Sequence, residues 1–247
     1  MGTSPNKKSN NAGTHVGKAA RSAELAKVIE SAAKLQALVP DAVLVGGTAA
    51  SLYAQHRESF DHDHTVSDLA QRYAEILDAV EASDGWATSV RASKPPMTIL
   101  GSLDGVEAGL RQMRRSRPLE TTTFELDAET SVVIPTVEEM LRVKAYLIVQ
   151  RNYVRDYLDV AALSETIGLD ITVSVLRNID DYYVDRSEET GSVLTALVES
   201  LADPKPRDSS VIKELPRYKG LDPRWHEWNS VTERCQEIAL RIAGAQP

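Results

Sequence analysis

Residues 59–65 read Ser-Phe-Asp-His-Asp-His-Thr, two carboxylates and two histidines in strict alternation. That is the period of a β-strand, whose successive side chains point to opposite faces. As a strand, the stretch puts Asp61 and Asp63 on one face with Ser59, and His62 and His64 on the other with Phe60. Two carboxylates this close repel, at a cost unless a cation, an arginine or a proton offsets it. A hard divalent cation prefers carboxylate oxygens, which an i, i+2 pair on a strand presents side by side. Histidine with aspartate would suit zinc or iron, but the pleat separates the two types, and the histidines are expected in the core or against a helix. Any chain with this segment needs a fold that covers one face of the strand and opens the other.

The flanking sequence supplies the elements. Leu25, Val28, Ile29, Ala32 and Leu35 share one helical face over 22–39, and Pro40 stops that helix. Residues 42–47, Ala-Val-Leu-Val-Gly-Gly, read as a short buried strand, 48–56 as a short helix, and 58–64 as a second strand. Leu69, Tyr73, Ile76, Leu77 and Val80 mark an amphipathic helix. From Gly85 to Pro135 the segments are short, β-prone and divided by turn residues. Thr136 and Glu139 form a capping-box pattern opening a helix to about Gln150, another helix follows, and 166–247 is mostly helical with breaks at Pro204 and Pro206. Trp225 and Trp228 are expected to pack near its end. The expected class is α+β, a small mixed sheet followed by a helical C-terminal half. The expected division is a flexible tail at 1–20, an α/β core at 21–135 and a helical region at 136–247.

Composition narrows the functions. The 247 residues are 42% hydrophobic and 26% charged, ordinary for a soluble globular chain, and no run approaches the roughly 18 apolar residues of a membrane span. The N-terminus lacks the apolar middle of a secretory signal, and the single cysteine, Cys235, fits a reducing cytoplasm and leaves no thiolate zinc site. A formal charge of −8 argues against nonspecific coating of nucleic acid. It leaves room for a local grip, and Arg111, Arg114, Arg115 and Arg117 form a candidate RNA-contact patch.

Gly46 and Gly47 stand between strand and helix, with thirteen residues separating Gly47 from Asp61. Glycines there let backbone amides approach a phosphate, and a helix N-terminus favours its charge. A phosphate cradle followed by a metal-binding acid pair is what nucleotidyl transfer needs. Further on, Lys144 and Arg151 share a helical face if the helix is continuous, and Asp156 and Asp159 share a face of the next helix beside Arg155. In the functional reading Lys144 contacts a triphosphate and one of the two aspartates completes the polar end of the site; in the structural reading the charges form a salt-bridged helix pair. Glu107, Glu120 and Glu125 are further carboxylates in the β-prone stretch, and Glu107 opens a strand after a turn.

Together, Gly46-Gly47-Thr48, then Arg57, Ser59, Asp61 and Asp63, then Lys144, then Arg155, Asp156 and Asp159 resemble the AbiEii/MenA-type toxins of the DNA polymerase β-like nucleotidyltransferase superfamily. The resemblance spans roughly 42–165 and departs where His62 and His64 replace aliphatic residues. It implies an NTP substrate with Mg²⁺ or Mn²⁺ on Asp61 and Asp63, and Gly46, Gly47, Thr48, Arg57, Ser59 and Lys144 along the nucleotide. The resemblance to polymerase β-like sites also implies a third carboxylate that activates an attacking hydroxyl, a place that Glu107 suits best among Glu107, Glu120 and Glu125. It implies that Lys144 and an aspartate of the 155–159 segment are essential, that the acceptor is the tRNA 3′ end, and that a cognate antitoxin restrains the chain. Rival readings are transfer to a protein side chain or to a small molecule such as an aminoglycoside, a catalytically silent regulatory module, and a hydrolase with His56, His62 and His64 as metal ligands.

Overall fold

A computed structural model describes residues 23–184 and 191–244; the tail expected at 1–20 lies outside them. The first half runs α1 (Ala23–Leu38), β1 (Val43–Val45), α2 (Gly46–Ala54), β2 (Asp61–Val66), α3 (Tyr73–Glu81), β3 (Trp86–Thr88), β4 (Thr98–Leu103) and β5 (Val106–Gln112). Then come the hairpin β6 (Thr121–Glu125) and β7 (Ser131–Pro135) and the helices α4 (Val137–Arg151), α5 (Val154–Ile167), α6 (Leu169–Arg177), α7 (Val193–Ala202) and α8 (Trp228–Ile242).

The main sheet has the order β1-β2-β5-β4-β3, with β2 and β5 parallel and the other neighbours antiparallel. The mixed sheet and helical C-terminal half are those expected. β2 sits inside the sheet, and its burial alternates as its sequence does: His62, His64 and Val66 are buried while Asp61, Asp63 and Thr65 are not. On the buried face α1 and α3 cover the sheet, with Leu35, Val66, Ile76, Val80, Ile99 and Leu110 in one cluster. Ser31 of α1 donates to the Leu103 carbonyl (3.0 Å), so its hydroxyl accepts from His62 Nε2 (2.9 Å). Burial pushes the His62 imidazole down to about 4 and His64 well below its usual range, so both are neutral packing residues. The pleat thus turns them away from the acids, as the alternation predicts, and the hydrolase reading with His62 and His64 as ligands loses its geometry.

A second, larger cluster runs from Ile29, Leu44 and Leu52 through Ile134 into α4 and α5 and out to Trp225 and Ile238. One apolar core therefore joins the first strands to the C-terminal helices. α5 lies at its centre, buried on every side from Asp156 to Ser164, and Trp228 meets Tyr157 edge to face with centroids 5.9 Å apart. The start of α4 departs from a full capping box. The Thr136 hydroxyl accepts from Glu139 N (3.3 Å), but the Glu139 carboxylate turns to Arg115 and Arg142 instead of reaching back. The Thr136 amide that a full box would use already donates to the Glu120 carbonyl (2.8 Å), and the buried Glu139 carboxylate is left to the two guanidiniums.

Candidate active site

The exposed face of β2 looks into a cleft of about 590 Å³. Its floor is Asp61 and Asp63; one wall is Val45, Gly46 and Gly47 at the start of α2, and the opposite wall is Val143, Lys144, Leu147 and Arg151 of α4. Gly46 has φ +76, and a Cβ there would stand 3.4 Å from Asp63 Cβ. At Gly47 a Cβ would fall 2.6 Å from Arg57 Nη2 and 2.9 Å from Ser59 Oγ. Gly46 is thus favoured by its left-handed backbone and Gly47 by the close approach of the Arg57 and Ser59 side-chain ends, and the first turn of α2 carries no carboxylate that would compete with an anion. Across the sheet, Gly109 of β5 pairs in register with Asp63, and a Cβ on it would lie 2.6 Å from Asp63 Oδ1.

Ser59 Oγ donates to Asp61 Oδ1 (2.9 Å), and Arg111 Nε donates to Asp63 Oδ1 (3.1 Å). Two aspartates on one face, each with a second oxygen turned from these bonds, form a hard-oxygen donor set that fits Mg²⁺ or Mn²⁺ supplemented by water and phosphate. Among the described residues no group of three or more His, Cys, Asp or Glu side chains forms a metal cluster.

Behind the cleft wall, Asp159 is fully buried and gathers three partners: Lys144 Nζ (2.7 Å), Arg57 through Nε (3.0 Å) and Nη2 (3.2 Å), and His56 Nε2 (2.7 Å). Burial opposes its ionisation, yet the charges of Arg57 and Lys144 and the His56 hydrogen bond hold its carboxyl well below the usual carboxylate range. Burial keeps His56 below its usual range despite Asp159, so the neutral ring donates from Nε2. Asp156, also fully buried, takes both Arg151 nitrogens at 2.7 Å. Burial works against the Arg151 charge, but the hydrogen bonds and charge of Asp156 raise its pKa, with Asp159 and Asp63 adding to the effect.

This corrects several expectations. Neither Asp156 nor Asp159 lines the cleft; each aims cations that do. Lys144 and Arg151 do share one face of a continuous α4, and both line the cleft. Thr48 is buried and donates to the Asp61 carbonyl (2.5 Å), setting the start of β2 rather than meeting a nucleotide. Of the four arginines of 111–117, Arg111, Arg114 and Arg115 line the cleft and Arg117 does not. Arg111 is on Asp63, Arg114 Nη1 donates to Gln150 (2.9 Å), Arg115 is buried on Glu139, and Arg117 lies over the Tyr182 ring at 3.8 Å. Arg115 therefore offers no exposed charge to RNA. Glu107 pairs in register with Asp61 on β5, on its face of the sheet, outside the cleft lining; Glu120 is engaged by Tyr182 (2.6 Å) and Arg142 (2.9 Å). Gly109 was not expected beside the site, and it left no local signal because its neighbour in space, Asp63, is 46 positions away.

No family model matches the chain. It is 30% identical over 241 residues to the heme uptake protein MmpL11 of Mycobacterium tuberculosis H37Rv, a match covering 90% of this chain and 23% of that protein. It is 35% identical over 130 residues to the mycolic acid-containing lipids exporter MmpL11 of Mycolicibacterium smegmatis, covering 53% of this chain and 13% of that protein. The chain thus spans less than a quarter of the length of the curated relatives it matches. Among solved structures, the nucleotidyltransferase toxin MenT4 of M. tuberculosis H37Rv is similar with a TM-score of 0.55 at 14% identity, covering 90% of this chain and 84% of that one. At that identity the likeness is one of fold alone.

Proposed function

We propose that the chain is a metal-dependent nucleotidyltransferase that moves NMP from an NTP to an acceptor hydroxyl. The observation that carries this is the convergence on one cleft of the Gly46-Gly47 cradle, the Asp61–Asp63 face and cations aimed by buried carboxylates. In this reading the amides at the start of α2 hold the triphosphate with Arg57 and Lys144, whose positions are fixed by Asp159. Ser59 orients Asp61, and Gly109 leaves room for the Asp63 carboxylate. A Mg²⁺ or Mn²⁺ on these aspartates supplies charge that offsets the α-phosphate. The acceptor oxygen bonds to the α-phosphorus, the bond to the bridging oxygen breaks, and pyrophosphate leaves; Glu107, in register with Asp61, is our candidate to take the hydroxyl proton.

The acceptor we favour is the tRNA 3′ end, with the chain acting in the cytoplasm as a toxin that a cognate antitoxin restrains. The cleft lining supports an anionic acceptor: Arg57, Arg111, Arg114, Lys144, Arg151 and Arg155 line it against Asp61 and Asp63. The chain's net acidity, which by itself would suit a polycationic aminoglycoside, does not extend into the cleft. A second reading is a catalytically silent module serving a larger protein. It is favoured by the Arg111 guanidinium that already occupies one oxygen of the Asp63 carboxylate, and by the match to a segment of transport proteins. Among the described residues no helix is long and apolar enough to cross a membrane.

The test incubates the purified chain with Mg²⁺, each NTP radiolabelled at the α-phosphate, and total tRNA, beside Asp61→Ala. Label on tRNA, absent with Asp61→Ala, is the expected result. Label on the protein or an added antitoxin would move the acceptor to a side chain, and no label anywhere would favour the silent module.

A further inference from the structure

The turn joining α4 to α5 carries Arg151, Tyr153 and Arg155 beside the mouth of the cleft. Tyr153 is 37% exposed, and the guanidinium carbons of Arg151 and Arg155 lie 5.5 and 6.0 Å from its ring centroid. The polar groups beneath are already engaged with the interior. Asp156 takes both Arg151 nitrogens, and Asn152, at φ 56, accepts from Tyr157 Oη (2.7 Å) on its side chain and from Arg207 N (2.8 Å) on its carbonyl. Asn152 Nδ2 donates to the Lys205 carbonyl (3.0 Å), and Val154 N donates to Asp208 Oδ1 (2.8 Å). What the turn presents outward is an aromatic ring between two guanidiniums, on a backbone fixed from below.

We propose that this turn docks a single-stranded nucleic acid end, with Tyr153 stacking on a base and Arg151 and Arg155 meeting the flanking phosphates. An aromatic face accepts any base, and guanidiniums supply charge-assisted hydrogen bonds to phosphate, the combination that single-strand grooves use. Arg151 stands two turns of α4 beyond Lys144, about 10 Å along the axis. That separates the turn from the triphosphate cations on Asp159 and puts it where an incoming strand would lead its terminal hydroxyl toward Asp61 and Asp63. The strand end it serves rests on the transfer reading of the cleft; the docking itself does not.

The test is therefore a binding measurement without NTP: fluorescence anisotropy of a short labelled single-stranded RNA against the whole chain, Tyr153→Ala, Tyr153→Phe and Arg155→Gln. Both positions are exposed, so the variants keep the fold, checked by their thermal unfolding. Tyr153→Ala is expected to weaken binding from about fivefold to about a hundredfold, and Tyr153→Phe to retain it. Arg155→Gln is expected to flatten the logarithmic salt dependence by about 0.7. No binding by the wild type, equal binding by Tyr153→Ala, or equal affinity of the wild type for a polyglutamate peptide would overturn the proposal. RNA binding through Tyr153 without transfer of label would sink the transfer reading alone, and tRNA labelling with an unchanged KM for tRNA in Tyr153→Ala would sink this one alone.

Discussion

Asp159 is where the chain concentrates its electrostatic cost. One buried carboxylate is offset by an ammonium, a guanidinium and a neutral imidazole, so removing it leaves Arg57 and Lys144 without their buried counter-charge. Breaking a buried pair of this kind costs about 3–5 kcal/mol. Asp159→Asn is expected to lose stability of that order in urea unfolding, whereas Asp61→Ala, at an exposed position, is expected to change it by no more than about 0.5 kcal/mol while abolishing transfer. The same residue sets an acid limit. Its folded pKa lies below the roughly 3.9 of an unfolded aspartate, so below that value the unfolded chain takes the proton first. Its stabilisation is complete above about pH 5 and is lost as pH falls through 4 toward the folded value. The wild type should therefore lose more stability than Asp159→Asn between about pH 5 and about pH 3; equal slopes would mean that another group carries the acid transition. The sequence marked Asp159 as a site residue but not its role, because His56 and Arg57, its partners, lie 103 and 102 positions away.

At the scale of elements, β2 was the most legible part of the chain. Its alternation fixes which face is covered, and no other arrangement of Asp61, His62, Asp63 and His64 satisfies both residue types. The shared face of Lys144 and Arg151 was legible only on condition that the helix expected to end near Gln150 ran on, and α4 does extend through Arg151. What could not be read was how β2 is paired. The parallel register with β5 sets Gly109 against Asp63 and Glu107 against Asp61, and register between distant strands leaves no local pattern. The pairing has a direct consequence. A methyl group at Gly109 would fall 2.6 Å from Asp63 Oδ1 and 2.9 Å from Leu100 Cδ2, so both side-chain ends would have to shift. Gly109→Ala is expected to push the Asp63 carboxylate off its seat, weakening Mn²⁺ binding by about tenfold or more, at a stability cost of about 1–3 kcal/mol. Titration of Mn²⁺ by electron paramagnetic resonance reads the first and urea unfolding the second; unaltered Mn²⁺ affinity in a folded variant would remove Asp63 from the cation site.

Across the whole molecule, the C-terminal half does more than cover the sheet. The chain returns at 218–222 to the segment that carries Arg57 and Ser59: Glu58 N donates to the Lys219 carbonyl (3.2 Å) and Asp222 N to the His56 carbonyl (2.8 Å). Beyond this strap, Trp225 is buried in the core that also holds α5. The segment between α2 and β2 is thus gripped from three sides, by Asp159 below, by the sheet ahead and by the strap above. Gly220 is the pivot of the strap, at φ +66, with a would-be Cβ 2.5 Å from Glu58 Cγ. Gly220→Ala meets both a backbone penalty of about 1 kcal/mol and that collision, and both relax by moving the strap away from residues 56–59. Gly220→Asn shares the collision but tolerates the left-handed backbone better. If the strap fixes Arg57 and Ser59 for the triphosphate, Gly220→Ala raises KM for the NTP several-fold and speeds hydrogen exchange at the Glu58 and Asp222 amides. Gly220→Asn should then fall between it and the wild type. Faster exchange with an unchanged KM would show that Asp159 alone holds the cradle's cations and that the strap only closes the fold.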